Sequence, residues 1–240
     1  AGVSDASIFI GAYAGQLACN RAHGSLFIGS GAGKGKTASD ATGDNNIAIG
    51  GGSLSCFTSG ASNLVVGQSA GSKITTGTKN AAFGYNAGEG DTEATGNCNV
   101  FLGTDAGKNF TSGNLNTFVG MGAGLCNANG HCNVFIGSCA GKLNGSGNCN
   151  TFIGMHAGKN LTSGDKNIAI GSYVTLPSAT GSCQLEIGYY QSSAVQSWIR
   201  GDGSLNVCLA GLGVTMTSGT TSCVIAHKFC GDGSCLTGVG

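Results

Sequence analysis

Residues 150–158 have the sequence NTFIGMHAG, and close variants of this run recur along most of the chain. Eleven such runs align on their first glycine, at Gly11, Gly29, Gly50, Gly67, Gly84, Gly103, Gly120, Gly137, Gly154, Gly171 and Gly188. Seven of the ten intervals between these glycines have one common length, and the first, second and fifth intervals are slightly longer. A repeat of near-constant length indicates a fold that stacks one small unit many times.

Each unit contains one short strand and two glycine corners. Residues 150–153, Asn-Thr-Phe-Ile, are rich in the β-branched and aromatic residues that strands favour. A second glycine lies three residues before the Asn or Gln that opens each of nine units, as Gly147 does before Asn150. Glycine adopts positive φ without steric cost, so we expect both glycines to turn the backbone. The pattern predicts an all-β fold, a β-solenoid or β-roll with coils of about 17 residues.

The predicted strand is apolar on both faces. Val134 and Ile136 lie on one face, and Phe135 lies on the other face together with Asn133, because side chains alternate along a strand. A single coil covers only its interior face, so a second apolar face must be covered by something else. We expect the aliphatic residues to be interior and the phenylalanines to face other chains, which predicts a homo-oligomer.

The composition excludes several classes of function. Eleven basic and eleven acidic residues are scattered along the 240 residues and give a formal net charge of zero, so we expect no nucleic-acid partner. No apolar run approaches the roughly 20 residues of a membrane-spanning helix, and we expect no membrane insertion. The chain opens at Ala1, without a methionine or a visible signal peptide, which indicates a processed chain or a fragment.

Residues 29–37, GSGAGKGKT, are similar to a phosphate-binding loop. With Lys36 as the phosphate lysine, the opening glycine should stand at position 30, which is Ser30. The same Ala-Gly-Lys recurs at Lys108, Lys142 and Lys159, and no helical periodicity follows it, whereas a phosphate loop feeds one helix. We therefore expect no nucleotide and no other cofactor.

The units resemble the head repeats of trimeric autotransporter adhesins and the repeats of phage tail fibres and related bacterial surface fibres. The matching residues include two NIAIG runs, at 46–50 and 167–171, and the resemblance covers residues 7–190. It implies a homotrimer of parallel chains that serves as a shaft or as an adhesive head. The 17-residue unit, the phenylalanine in place of the usual alanine and the cysteines depart from the adhesin pattern.

The period ends near residue 190 and divides the chain into two segments. Residues 1–190 are predicted to form the solenoid shaft of about eleven units, and residues 191–240 a non-repeat β segment. Gly231–Ser234 (GDGS), in the stretch FCGDGSCLTG, resembles the end of tail-fibre-like chains. That resemblance implies a trimerisation region or one that precedes a cleaved chaperone of the endosialidase type.

Twelve cysteines without a C-x-x-C pair favour disulfides in an oxidising compartment over a zinc ribbon, with buried free thiols as the alternative. Cys132 and Cys149 stand at the same repeat position of adjacent coils, and a coil spacing of about 4.8 Å suits a disulfide. Cys98 and Cys183 share that repeat position but have no neighbouring cysteine in it, so they need another partner, such as a second chain. The candidates for cross-links are Cys98, Cys132, Cys149, Cys183, Cys208, Cys223, Cys230 and Cys235.

The remaining candidate sites lie in loops. Glu89, Asp91 and Glu93 offer oxygen ligands for Ca²⁺, but a solvated insertion is the preferred interpretation of this acidic run. Three sequons follow the Ala-Gly pair in a loop that we expect at the surface, which makes candidate glycosylation sites of Asn109, Asn144 and Asn160. The acids form no column across coils, and the histidines have no partner at the repeat spacing, so we expect no catalytic residues.

These observations predict a structural fibre without enzymatic activity, located outside the cell, on a cell surface or on a virion. It would act as a shaft and as an attachment device, with copies of itself and a cell-surface glycan or other receptor as partners. Two alternatives stay open. One is a fibre-borne polysaccharide depolymerase, for which the carboxylates of Glu89 and Asp91 are the best case. The other is a self-polymerising surface filament.

Overall fold

A computed structural model of the chain describes residues 6–18, 22–37, 41–191, 194–201, 204 and 207–208. Those residues contain a 13-stranded sheet whose strands follow one another in chain order. The strands are β1 (Ile8–Ile10), β2 (Leu26–Ile28), β3 (Ile47–Ile49), β4 (Leu64–Val66), β5 (Ala81–Phe83), β6 (Val100–Leu102), β7 (Thr117–Val119), β8 (Val134–Ile136), β9 (Thr151–Ile153), β10 (Ile168–Ile170), β11 (Leu185–Gln191), β12 (Ala194–Gly201) and β13 (Val207–Cys208).

Strands β1 to β11 are parallel and form the β-solenoid that the repeat predicts. Equivalent residues of neighbouring coils pair directly, as Phe118, Phe135 and Phe152 do across β7, β8 and β9. The three longer coils keep this register, so their extra residues lie in loops outside the strands. The described part of the chain has no helix, and therefore none there is long and apolar enough to cross a membrane.

The phenylalanine column lies inside the solenoid, so the predicted assignment of the two strand faces is wrong. The middle residues of β2 to β10 are fully buried, whereas Val100 and Leu102 point outwards and are 40% and 47% exposed. Rings of successive coils stack along the solenoid axis, with centroids of Phe118 and Phe135 4.9 Å apart and planes within 6°. A corner glycine makes room for each ring, since a Cβ on Gly141 would lie 2.5 Å from the ring of Phe135.

The two glycines of the predicted pair are required for different reasons. Gly137 has a φ of +129°, which confirms the expected turn at the first glycine, and a Cβ there would lie 2.6 Å from the carbonyl carbon of Gly154. Gly147 does not have a positive φ, so the same expectation is wrong at the second glycine. A Cβ on Gly147 would lie 2.4 Å from the carbonyl oxygen of Gly164 in the next coil. Close stacking of the coils, rather than backbone conformation, excludes a side chain there.

A ladder of buried amides runs beside the phenylalanine column and explains why asparagine shares a strand face with phenylalanine. The backbone N–H and the Nδ2 of Asn133 both donate to Oδ1 of Asn116, over 3.0 and 3.1 Å, and Nδ2 also donates to the Gly147 carbonyl over 2.8 Å. Each amide is therefore removed from water but fully bonded. The members of this asparagine ladder are Asn46, Asn63, Asn80, Asn99, Asn116, Asn133, Asn150, Asn167 and Gln184.

The sheet continues past the end of the repeat. Strand β12 pairs antiparallel with β11, and β13 pairs antiparallel with β12. The first compact unit of the chain spans Ala1–Ala210, so the described part of the predicted 191–240 segment belongs to this unit. The second unit, Gly211–Gly240, lies outside the described residues.

One interior position interrupts the apolar packing. Phe110, Asn127, Asn144 and Leu161 occupy the same repeat position, and each backbone N–H there donates to the carbonyl of the glycine three residues earlier. Asn144 bonds the Gly147 backbone with both amide atoms, over 2.9 and 3.0 Å. Asn127 is equally buried, yet neither its Nδ2 nor its Oδ1 has a partner. A buried amide without hydrogen bonds is costly.

We predict that Asn127→Leu raises the free energy of unfolding by about 1–2 kcal/mol, because it removes an unbonded polar group and supplies an apolar side chain. Chemical denaturation followed by far-UV circular dichroism measures the change. Asn144→Leu is the matched control and should lower stability, since it leaves the backbone of Gly147 without its partner. Equal effects of the two substitutions would contradict this account.

Candidate functional site

The first and third residues of β1 to β11 form one outward apolar surface, which we call the aliphatic face. None of its members is charged, and none is fully buried. Apart from Ala81, Phe83, Thr117 and Thr151, all are isoleucine, leucine or valine. The members are Ile8, Ile10, Leu26, Ile28, Ile47, Ile49, Leu64, Val66, Ala81, Phe83, Val100, Leu102, Thr117, Val119, Val134, Ile136, Thr151, Ile153, Ile168, Ile170, Leu185 and Ile187.

The aliphatic face is large for a surface left in water. Eleven strands at a spacing of about 4.8 Å, each contributing a three-residue stretch, give a surface about 50 Å by 10 Å, on the order of 500 Å². Exposed apolar side chains extend it past the C-terminal edge of the strands, where the residue after the corner glycine is Tyr85, Met121 or Met155. A continuous patch of this size is typical of an interaction surface rather than of a solvated one.

A column of left-handed residues runs along the N-terminal edge of the parallel strands, two residues before each strand. Its non-glycine members have φ between 57° and 60°, a region that such residues seldom adopt. They are Ala6, Asn45, Ser62, Lys79, Cys98, Leu115, Cys132, Cys149, Lys166 and Cys183. The conformation places four cysteines in one exposed row, which confirms their predicted common column.

The cysteines of the described residues are present as free thiols. Cys98, Cys132, Cys149 and Cys183 are exposed, while Cys56, Cys126 and Cys139 are partly buried. Of the other candidates for cross-links, Cys208 is described by its backbone alone, and Cys223, Cys230 and Cys235 lie outside the described residues. Burial raises the pKa of the Cys132 thiol, and the charge and hydrogen bond of neighbouring Cys149 raise it further.

A second polar ladder, next to the left-handed column, accounts for His131. The backbone N–H of Asn114 donates to Nδ1 of His131 over 3.1 Å, and the backbone N–H of His131 donates to Oδ1 of Asn148 over 2.8 Å. Because Nδ1 accepts a hydrogen bond, the proton of the neutral ring is on Nε2. His131 thus substitutes for the asparagine of neighbouring coils.

The acidic run lies against lysines rather than around a common centre. Glu93 forms an ion pair with Lys36, and Glu89 lies 3.9 Å from Nζ of Lys73. The same Nζ donates to the backbone carbonyl of Asp91 over 3.0 Å. Among the described residues, no group of three or more His, Cys, Asp and Glu side chains is arranged to hold a metal ion.

The three sequons lie in different environments. Asn144 is fully buried and bonds Gly147 with its amide, so the expectation of a surface loop is wrong for this residue. Asn160 donates from Nδ2 to the Leu176 carbonyl over 2.8 Å and accepts from the Leu176 N–H over 3.0 Å. Asn109 is partly exposed. Buried and amide-bonded asparagines make poor acceptors for a glycan on the folded chain.

The phosphate-loop-like stretch at residues 29–37 forms the corner that follows β2. Gly29 has the same conformation as the other corner glycines, with a φ of +127°, and a Cβ on Gly33 would lie 2.4 Å from the Phe27 ring. Its glycines therefore serve the packing of the coil.

A buried carboxylate closes the interior at the C-terminal end of the solenoid. Glu186 is the second residue of β11 and pairs with Ala169, at the register position where the other parallel strands carry phenylalanine, alanine or valine, and it is fully buried. Nε of Arg200 in β12 donates to its Oε2 over 2.7 Å, and Ser197 donates to Oε1. Sequence reasoning missed this pair, although an acid in the middle of a repeat strand was a visible signal. Asp202, which with Arg200 and Gly201 spells Arg-Gly-Asp, lies outside the described residues.

Exposed aromatic side chains gather on the last coils. The rings of His156 and Tyr173 stack with centroids 4.7 Å apart, Tyr190 lies 6.2 Å beyond Tyr173, and Nζ of Lys159 lies 5.2 Å from the Tyr173 centroid. Trp198 of β12 is 54% exposed and lies 5.7 Å from the ring of Tyr189. In the sequence, an aromatic ring recurs at positions 156, 173 and 190, each one repeat after the last, and this recurrence indicates the stacked cluster.

Comparison of the chain with protein-family models, characterised proteins and solved structures found no match.

Arg200→Ala is predicted to lower the free energy of unfolding by about 1–3 kcal/mol, because it leaves a buried carboxylate with a single hydroxyl partner. Thermal or urea unfolding measures the loss. Lys108→Ala is the control, since the Lys108–Asp105 pair is partly exposed to water and should change stability by less than about 1 kcal/mol. Adding Glu186→Ala should recover part of the loss. No recovery would show that Arg200 acts through some other contact.

Proposed function

We propose that the chain is a structural fibre segment: a homotrimer of parallel solenoids, outside the cell, on a cell surface or on a virion, that serves as a shaft and attachment device without catalysis. The aliphatic face is the single observation that carries this proposal. Its two columns run without a charge through eleven successive coils, and an isolated chain would leave them in water.

Other copies of the same chain suit this face better than an unrelated partner. The face repeats at the coil spacing of about 4.8 Å, so only a partner with the same spacing can match it along its whole length. A parallel second or third copy has that spacing because it is built from the same coils. Cyclic symmetry then lets three flat faces meet around one axis and close, so that no apolar edge is left for further growth.

The shaft derives its stability from neighbouring coils, as expected for a repeat protein. The coils of β6 to β9 each contribute one ring to the phenylalanine column, and the coils of β3 to β11 each contribute one amide to the asparagine ladder. These groups pack or bond against the coils above and below. Such a rod can have any length, which suits a spacer. The described acids Glu89 and Glu93 face lysines, so no observation favours the depolymerase alternative.

We place attachment at the C-terminal coils. Tyr189, Tyr190 and Trp198 are exposed there, and aromatic rings of this kind present an apolar surface with a polar edge. That combination fits the flat C–H face and the hydroxyl rim of a sugar ring, so a cell-surface glycan is the proposed receptor class.

The assembly is tested by the mass of the chain in solution. Sedimentation should give three times the 23.5 kDa chain mass, and Leu102→Asp should shift it to one chain, with an unchanged circular dichroism spectrum, because it buries a charge in the trimer. Leu143→Asp is the control: Leu143 is equally exposed but lies outside the aliphatic face, and this variant should stay trimeric. A monomeric wild-type chain would overturn the proposal, and long filaments would favour the self-polymerising alternative.

Attachment is tested separately by glycan-array binding of the trimer. Trp198→Ala and Tyr190→Ala should each weaken binding about tenfold, since loss of a stacked aromatic ring costs about 1–1.5 kcal/mol. Tyr13→Ala is the matched control, because Tyr13 holds the same repeat position as Tyr190 in the first coil and is 65% exposed. Binding that survives the first two substitutions, or fails with the control, would place the receptor site elsewhere.

A further inference from the structure

We propose that Cys132 and Cys149 form a surface dithiol that closes to an intrachain disulfide between adjacent coils by exchange with a small-molecule disulfide. The inference stands on the geometry of these two residues alone and does not depend on the proposed fibre function.

The backbone holds the two cysteines in equivalent positions. The N–H of Cys132 donates to the Asn114 carbonyl and the N–H of Cys149 to the His131 carbonyl, each over 2.9 Å. Their φ values, 58° and 57°, agree within one degree, so their Cα–Cβ bonds have nearly the same direction. The following strands pair in register, with Val134 beside Thr151. The Cα atoms are therefore separated by one coil spacing, about 4.8 Å, inside the range of about 4.4–6.8 Å for disulfides.

The local backbone structure does not require cysteine at positions 132 and 149. A left-handed conformation is most easily adopted by glycine or asparagine, and Gly24 and Asn45 hold the same repeat position in earlier coils. Both thiols are exposed, so they contribute little to the core. At these two positions cysteine adopts a left-handed backbone conformation that it seldom takes, and its thiol is open to reagents. A cross-link between neighbouring coils would explain why cysteine is found there.

Exchange is chemically balanced with oxidised glutathione as the oxidant. The thiolate of one cysteine attacks a sulfur of the oxidant and breaks the S–S bond of the oxidant. One glutathione thiolate is released, and the protein sulfur forms a mixed disulfide with the other glutathione. The thiolate of the second cysteine then attacks the protein sulfur of that mixed disulfide and releases the second glutathione. The protein loses two protons and two electrons, and the oxidant becomes two glutathione thiols. Because Cys132 holds its proton more tightly than an ordinary thiol, the reaction should accelerate as the pH rises.

The same column contains matched controls. Cys98 and Cys183 share the left-handed conformation and the exposure of the pair. However, Lys79 and Leu115 flank Cys98 in the column, and Lys166 precedes Cys183. Cys126 and Cys139 stand at other repeat positions and do not stack on the pair. Neither Cys98 nor Cys183 therefore has a described intrachain partner in its column.

The test treats the full chain with oxidised glutathione, alkylates the remaining thiols and maps the linked peptides by mass spectrometry. We expect a Cys132–Cys149 link, its loss in Cys132→Ser and in Cys149→Ser with a mixed disulfide on the remaining thiol, and its retention in Cys98→Ser and Cys183→Ser. Circular dichroism checks that the variants fold. The oxidised wild type should also melt several degrees higher than the reduced chain, because the link closes a loop that is one full coil long.

Recovery of both cysteines as free thiols, or as two separate mixed disulfides, would overturn the proposal. So would a link that joins either residue to another cysteine of the chain, or loss of the link in the Cys98→Ser or Cys183→Ser variant.

Discussion

The whole structure depends on the stacking of coils at one short spacing, with equivalent atoms of successive coils in register. At this spacing the Oδ1 of one asparagine accepts from both N–H groups of the next, and the rings of Phe118, Phe135 and Phe152 lie flat on one another. The same spacing excludes any Cβ at Gly137 and Gly147, where it would meet the backbone of the next coil. The glycine content of the chain is therefore a consequence of how closely its own backbone approaches itself.

A repeat can bury polar groups that a single strand could not. An isolated Asn133 inside an apolar core would cost several kcal/mol, but the coils on either side supply its acceptors. The ladder consequently tolerates substitution where the replacement offers an equivalent atom, as Gln184 does at its C-terminal end. Asn127 shows the opposite case: it is buried between Phe110 of the preceding coil and Asn144 of the following one, whose amide bonds Gly147, and its own amide has no partner.

Phenylalanine fills much of the interior column, whereas isoleucine, leucine and valine lie mainly on the outward strand face, with consequences for assembly. Isoleucine, leucine and valine on short parallel strands form an outward apolar surface that repeats once per coil. An apolar surface with a fixed repeat is poorly covered by loops and well covered by another copy of itself. The left-handed column at its edge carries the exposed thiols, so the proposed dithiol and the proposed assembly surface lie on neighbouring parts of the same solenoid.

The amino-acid sequence by itself determined the architecture, because a near-constant period with glycine at fixed points allows few folds, and it determined that Cys132 and Cys149 share a column. It could not determine which strand face is interior, since both faces are apolar and alternation is symmetric. The tertiary structure decided that question through the volume of the rings and the room left by Gly141. It alone also showed that Asn144 is buried, that Glu93 meets Lys36 from a loop 57 residues earlier, and that Glu186 pairs with Arg200. Each of these depends on contacts between coils or between antiparallel strands; the acid at position 186 was visible in the sequence, but its partner was not.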